Sequence, residues 1–202
     1  MGPTVTHTNH CHHQALPTQW GWIRLDEHTA LERFRKLTEL EATAYEHPSD
    51  HFEPQDYLDY IRSANAQTWV LVDANDSDAW YGSVVWADDV PWPHKDKEVT
   101  TRLLQSNTVY LAGVAIFPAF QGYGLSRHLF GKLIEENPGK RFVTKTRESK
   151  RHVQKLLELA GFSFEQQHER PDGTWLWYTR PAHADENSHR ANHSKNNQRH
   201  AG

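Results

Sequence analysis

The sequence predicts an α+β domain over residues 19–180, with a mixed, twisted sheet of about seven strands and four helices. Three observations carry this. An apolar strand, Val109–Phe117, runs through a short loop containing Gly122 and Gly124 into a helical pattern in which Leu125, Leu129 and Leu133 recur every four residues. Two helical stretches precede a hairpin before it. A further strand, a helix closed by Gly161 and a second hairpin follow it.

The elements punctuate clearly in order. Trp20–Leu25 alternates as a strand. Asp26 is placed to cap a helix carrying Leu31, Phe34, Leu37 and Glu41 on successive turns. Pro54 suits the first turn of a second helix with Tyr57, Leu58 and Ile61 inward. Trp69–Asp73 and Trp80–Ala87 flank a turn-rich Ala74-Asn-Asp-Ser-Asp78 and read as a hairpin. After the glycine loop, Asn137-Pro-Gly139 stops the helix. Arg141–Lys145 is a short strand, and Ser149–Ala160 a helix with Val153, Leu156, Leu157 and Ala160 on one face. Phe162–Gln166 and Thr174–Thr179 pair through Pro171-Asp-Gly173.

Length and composition bound the rest. A chain of 202 residues fits one domain with a real core. Its hydrophobic content of 37% and mean hydropathy of −0.83 are low, and the polar ends account for much of that. Residues 1–18 hold four histidines and residues 181–202 hold four more; both ends read as disordered. Imidazole clusters suit zinc, nickel or copper. Here no acidic or cysteine partner sits at ligand spacing, so the ends read as solvated tails and no metal is expected. A net charge of −4 argues against nucleic-acid binding through a basic surface. The single cysteine, Cys11, excludes an internal disulfide and fits a reducing compartment. No apolar run approaches the ~20 residues of a membrane span, and the N-terminus lacks a signal-peptide core. A cytoplasmic monomer or homodimer is expected.

A strand, a glycine loop and a helix N-terminus together form an anion site, because the amides of the first helical turn are unpaired and the helix dipole favours negative charge there. The loop matches neither common nucleotide fingerprint. A P-loop needs Lys after the second glycine and this chain has Leu125; the dinucleotide pattern needs a third glycine where this chain has Arg127. Gln121-Gly-Tyr-Gly124-Leu-Ser126 instead resembles the Gln/Arg-x-x-Gly-x-Gly/Ala signature of the GNAT acyltransferase superfamily, with Ser126 in place of Gly or Ala. The element order agrees over the whole ordered length. Gly161-Phe162 matches that family's helix-end Gly-Phe, and Gly82 in the third strand is also typical.

The resemblance implies a coenzyme site for acetyl-CoA as co-substrate. The amides around Gln121, Gly122, Tyr123, Gly124, Leu125 and Ser126 would hold the pyrophosphate. The backbone of Val114 and Ile116 would bond the pantetheine arm where the strand splays from its neighbour. The acceptor would be an amine on a small molecule or peptide.

The chemistry is less complete. An amine with a pKa of about 10.4 is neutral in only roughly one molecule per thousand at pH 7. Many relatives place a glutamate on the strand before the loop as base, but residues 106–117 hold no Asp or Glu. Tyr110 falls near that place, where it either orders a water or packs in the sheet. Asp88, Asp89, His94 and Glu98 in the next segment are further candidates. Many relatives also carry a general-acid tyrosine four residues before the Gly of Gly-Phe. That position is Leu157, and the asparagine seven residues before it is replaced by Lys150. About twenty residues, Asp88–Asn107, join the third and fourth strands, with Trp92 between two prolines and a short helix suggested by Val99, Leu103 and Leu104. Trp86, Trp92 and Tyr81 are candidates for an aromatic wall at the acceptor. Three functions follow: an acyl-CoA-dependent N-acyltransferase, a catalytically silent acyl-CoA-binding module of the same fold, or a metal-binding protein acting through its histidine-rich ends.

Overall fold

The computed structural model describes residue 16 and residues 19–47, 50–90 and 97–182. The expectations for most of both ends, for Trp92 and for His94 lie outside these. Among the described residues seven strands form one sheet: β1 (Trp20–Leu25), β2 (Gln67–Asp73), β3 (Asp76–Ala87), β4 (Thr108–Ile116), β5 (Arg141–Arg147), β6 (Ser163–Arg170) and β7 (Gly173–Arg180). Their order across the sheet is β1-β2-β3-β4-β5-β7-β6. Among the described residues five α-helices accompany them: α1 (Leu31–Ala44), α2 (Pro54–Ala64), α3 (Lys97–Leu103), α4 (Ser126–Glu136) and α5 (Arg151–Leu159). The extra helix over the expected four is α3, in the β3–β4 connection where Val99 and Leu103 are buried. No helix among the described residues is long and apolar enough to cross a membrane.

The helices cover both faces of the sheet, and the alternation of β3 assigns them. Gly82 turns towards Leu129 of α4, while Ser83 turns towards Glu41 of α1. The apolar spacing of α4 buries Leu125, Leu129 and Leu133 almost completely on one face. On the other face α1 buries Phe34, Leu37 and Glu41, while Leu31 at its first turn stays exposed. In α2 the inward residues are Tyr57 and Tyr60; Leu58 and Ile61 are only half-buried.

Capping differs from the expectation at one helix. Asp26 does not cap α1; its carboxylate accepts from the His28 amide at 3.0 Å and the Thr29 hydroxyl at 3.2 Å, forming a local turn before Ala30 starts the helix. Pro54 does open α2, and Asp56 accepts from the Glu53 amide at 2.9 Å. At the end of α5, Gly161 donates to the Glu158 carbonyl and Phe162 to that of Leu157, so the Gly-Phe pair is a Schellman stop.

The central feature of the sheet is a fork. β4 and β5 are parallel and pair only from Thr108–Tyr110 to Arg141–Val143. Past that point β4 continues with β3 as far as Ile116, and β5 continues with β7 as far as Arg147. The Thr144 hydroxyl donates to the Leu111 carbonyl at 2.8 Å and closes the base of the fork. The β3–β4 ladder shifts register between Val85 and Trp86, so one extra residue, Ala112, bulges where the strands part.

Candidate active site

Beyond Tyr110 the arm of the fork formed by β4 presents a backbone edge with no β5 strand paired to it. The Phe117 amide donates to the Tyr81 carbonyl on β3 at 3.1 Å. Backbone groups alternate sides along a strand, so Ala115 and Gly113 also turn towards β3 while Val114 and Ile116 turn into the fork. The carbonyl of Ile116 accepts from Gln121 Nε2 at 3.1 Å, which ties the loop back to the end of the strand.

A short 3₁₀ turn, Pro118–Phe120, carries the chain from the fork to α4. Phe120 and Leu125 are buried and anchor the two ends of the loop, while Gln121, Gly122, Tyr123 and Gly124 are exposed. Gly122 and Gly124 have φ of 85° and 76°, in the left-handed region that side chains disfavour. A Cβ at either would meet no atom within 4 Å, so packing does not demand these glycines; their backbone conformation and open approach do. Among the described residues, the amides of Gly122, Tyr123, Gly124, Leu125 and Ser126 donate to no backbone carbonyl. Leu125, the N-cap residue, supplies no side-chain cap. The head of α4 is therefore an open cradle of amides with the positive end of the helix dipole behind it. Donors of this kind fit a pyrophosphate, and the adjoining strand edge fits an extended amide-bearing arm.

Solved structures share this arrangement of strands and helices. The chain is similar to the ribosomal-protein-S18-alanine N-acetyltransferase from Escherichia coli, with a TM-score of 0.58, 15% identity, and coverage of 83% of this chain and 98% of that one. It is similar to a spermidine N-acetyltransferase chimera involving Vibrio cholerae, with a TM-score of 0.58, 14% identity and coverage of 81% and 96%. It is also similar to yncA from Salmonella typhimurium, solved with its cofactor acetyl-CoA, with a TM-score of 0.52, 20% identity and coverage of 78% and 90%. The chain has the GNAT fold. No family model and no curated protein matches the sequence.

Within this GNAT fold the other expected site residues take definite places. Tyr110 forms the last β4–β5 pair, opposite Val143, and is buried beside Trp177 with the rings 6.2 Å apart. It lies in a second cluster with Val90, Val99 and Leu103, below the opening of the fork. Trp86 is buried on β3, pairs with Leu111 and borders a hollow with Asn65, Gln67, Asp88, Glu136 and Asn137, by the C-terminal end of α4. Tyr81 packs 4.4 Å from Phe120, at the loop end of β3, so Tyr81 and Trp86 do not share a wall. Asp88 accepts from Asn65, and the Asp89 carbonyl accepts from Tyr60, which fixes both at the end of α2. Leu157 is buried on α5. Lys150 pairs with Glu46 at 3.3 Å. Among the described residues no group of three or more His, Cys, Asp or Glu side chains is placed to hold a metal ion.

The structure also gathers Glu41, which the sequence placed on the helical stripe of α1 without a role, and Tyr45, which sequence reasoning passed over. Glu41 is fully buried, and its carboxylate accepts from the hydroxyls of Ser83, at 2.5 Å, and Tyr57. Burial pushes its pKa up to about 7, against the stabilising effect of those two donors and of His51 nearby. One turn later Tyr45 ends α1 and brings its hydroxyl to Gly113 of β4. From there the connector to α2 crosses to β5, where Arg147 bonds both oxygens of Asp50, at 2.9 and 3.3 Å, and also reaches Asp172. The sequence signal was present: Glu41 and Tyr45 continue the apolar stripe of Phe34 and Leu37 at helical spacing.

Proposed function

We propose that this protein is an acyl-CoA-dependent N-acyltransferase that moves an acetyl group from acetyl-CoA to an amine of a small molecule or peptide. The observation that carries the reading is the junction of the two anion- and amide-binding features. The open amides of Gly122–Ser126 stand at the head of α4, directly after the edge of Val114 and Ile116 that has no β5 strand paired to it. The amides would hold the pyrophosphate, with Gln121 bracing the loop against Ile116. The β4 edge would hold the pantetheine arm as an added strand and set the thioester in the fork. Acetyl-CoA supplies the activated acyl carbon; the chain binds it, orients it and excludes competing geometry. The acceptors named for two of the similar structures, spermidine and an S18 alanine, are both amines, which supports an amine here.

A second reading, a silent acyl-CoA-binding module, has one observation in its favour. The α5 position for an acid tyrosine holds the buried aliphatic Leu157, and β4 carries no carboxylate. One experiment separates the two. Purified protein is titrated with acetyl-CoA and then incubated with a panel of polyamines, amino acids and peptides under mass spectrometry. Binding with a product 42 Da heavier, roughly one acetyl group for one amine hydrogen, is expected. Binding with no product throughout the panel would favour the silent module, and no binding would remove both.

A further inference from the structure

We propose that the hydroxyl of Tyr45, delivered from the end of α1, is the proton donor to the departing sulfur in the fork. The proposal rests on the acyl-transfer reading above. Its first support is position. A Cβ built on Gly113 would lie 2.9 Å from Tyr45 Oη and 4.0 Å from its Cζ, so the phenol meets the strand end-on, oxygen first. Gly113 adjoins Val114, beyond the last β4–β5 pair and beside the bulged Ala112. Only glycine admits an oxygen so close to the strand.

Its second support is that this hydroxyl is uncommitted. Tyr57 donates to Glu41, and Tyr60 donates to the Asp89 carbonyl at 2.6 Å. Among the described residues Tyr45 Oη has no hydrogen-bond partner, although its ring is packed in the same aromatic core. A half-buried phenol without a partner at the edge of an open fork is available to a ligand.

Its third support is that the residue is held. The Tyr45 amide donates to the Glu41 carbonyl at 2.9 Å, and the Tyr45 carbonyl lies 2.8 Å from His51 Nε2. The pairs Arg147–Asp50 and Lys150–Glu46 pin the following connector to the far side of the fork. Burial, with the charges of Glu41 and Asp50 adding to it, pushes the phenol well above its usual range, so it keeps its proton at neutral pH and serves as a donor.

The step balances without another reactant. The neutral amine nitrogen bonds to the acyl carbon as the C–S bond breaks and its electron pair leaves on sulfur. The phenol proton passes to that sulfur, giving the free thiol. The resulting phenolate regains a proton from the new amide nitrogen, which carries one in excess. Tyr45 ends as it began.

The test uses Tyr45→Phe, which removes the oxygen and keeps the ring. Acetyl-CoA affinity is read by titration, stability by thermal melting, and turnover by thiol release with the amine panel and with hydroxylamine. The expected result is unchanged affinity and melting with turnover reduced about 10²-fold or more. Turnover within twofold of wild type at normal affinity overturns the Tyr45 assignment and leaves the acyltransferase reading standing. Loss of acetyl-CoA binding by the wild type overturns that reading, and this one with it. A stability cycle with Gly113→Ala checks the contact without any turnover. The alanine is expected to lower the melting midpoint in the wild type and to cost less in Tyr45→Phe. An equal cost in both backgrounds overturns the placement of the hydroxyl.

Discussion

Ser83 on β3 and Glu41 on α1 meet across the helix–sheet interface, hydroxyl to carboxylate, at 2.5 Å. Tyr57 of α2 completes the contact from the other side. One buried carboxylate thus joins α1, α2 and the sheet at the strand next to the fork. A desolvated charge of this kind is costly, and its two hydroxyl donors offset only part of the cost.

That cost gives a pH dependence with a definite sign. The folded protein holds the Glu41 proton more tightly than the unfolded chain does, with a pKa raised from 4.5 to about 7. Its contribution is therefore fully present below pH 4.5, is lost as pH rises towards 7, and changes little above that. The loss is roughly 3 kcal/mol. Glu41→Gln carries no titrating proton and is expected to flatten this part of the profile. Urea midpoints of both proteins across that window check it; parallel curves would show that Glu41 does not titrate there.

Arg147 is expected to be the principal clamp on the α1–α2 connector. Its side chain is 8% exposed and pairs with Asp50 and Asp172 at once. Arg147→Met should cost about 3 kcal/mol of stability, because the half-buried Asp50 loses its cation and Asp172 keeps only Arg170 as a cation, at 3.5 Å. It should also raise the KM for the amine more than the Kd for acetyl-CoA, because the connector borders the fork while the proposed coenzyme cradle lies at the head of α4. Denaturation and steady-state kinetics run together test both halves.

Leu157 is not a vacancy waiting for a tyrosine. It is buried in the main core and its carbonyl accepts from the Phe162 amide. Leu157→Tyr should destabilise the protein by about 1–3 kcal/mol through overpacking and should not raise kcat. A clear rise in kcat at unchanged KM would mean that the site lacks a donor, against the role assigned to Tyr45.

Most of the architecture was legible because its signals are local. Alternation marked Trp20–Leu25 to the residue, and Asn137-Pro-Gly139 and Gly161 marked the ends of α4 and α5. The glycine loop was legible for the same reason. The fork itself was anticipated only through resemblance, since where β4 leaves β5 depends on β7 and β3 competing for them. Asp26 was misplaced because Thr29 offered its carboxylate a nearer partner than the first turn of α1. Glu41 was placed on the stripe of α1 but given no role, and Tyr45 was overlooked, because their partners, Ser83 and Tyr57 for the carboxylate and Gly113 for the phenol, are brought to them from elsewhere in the chain.

The central claim is that the open amides at the head of α4 hold the coenzyme pyrophosphate, and calorimetric titration of acetyl-CoA into wild type and Gly124→Val tests it most directly. Gly124 has φ of 76° and no atom within 4 Å of a would-be Cβ, so a branched side chain there fills the approach to the amides and strains the loop. Stoichiometric binding by the wild type is expected, with at least tenfold weaker binding by the folded variant, about 1.4 kcal/mol. No binding by the wild type, or equal affinities for two folded proteins, would contradict it.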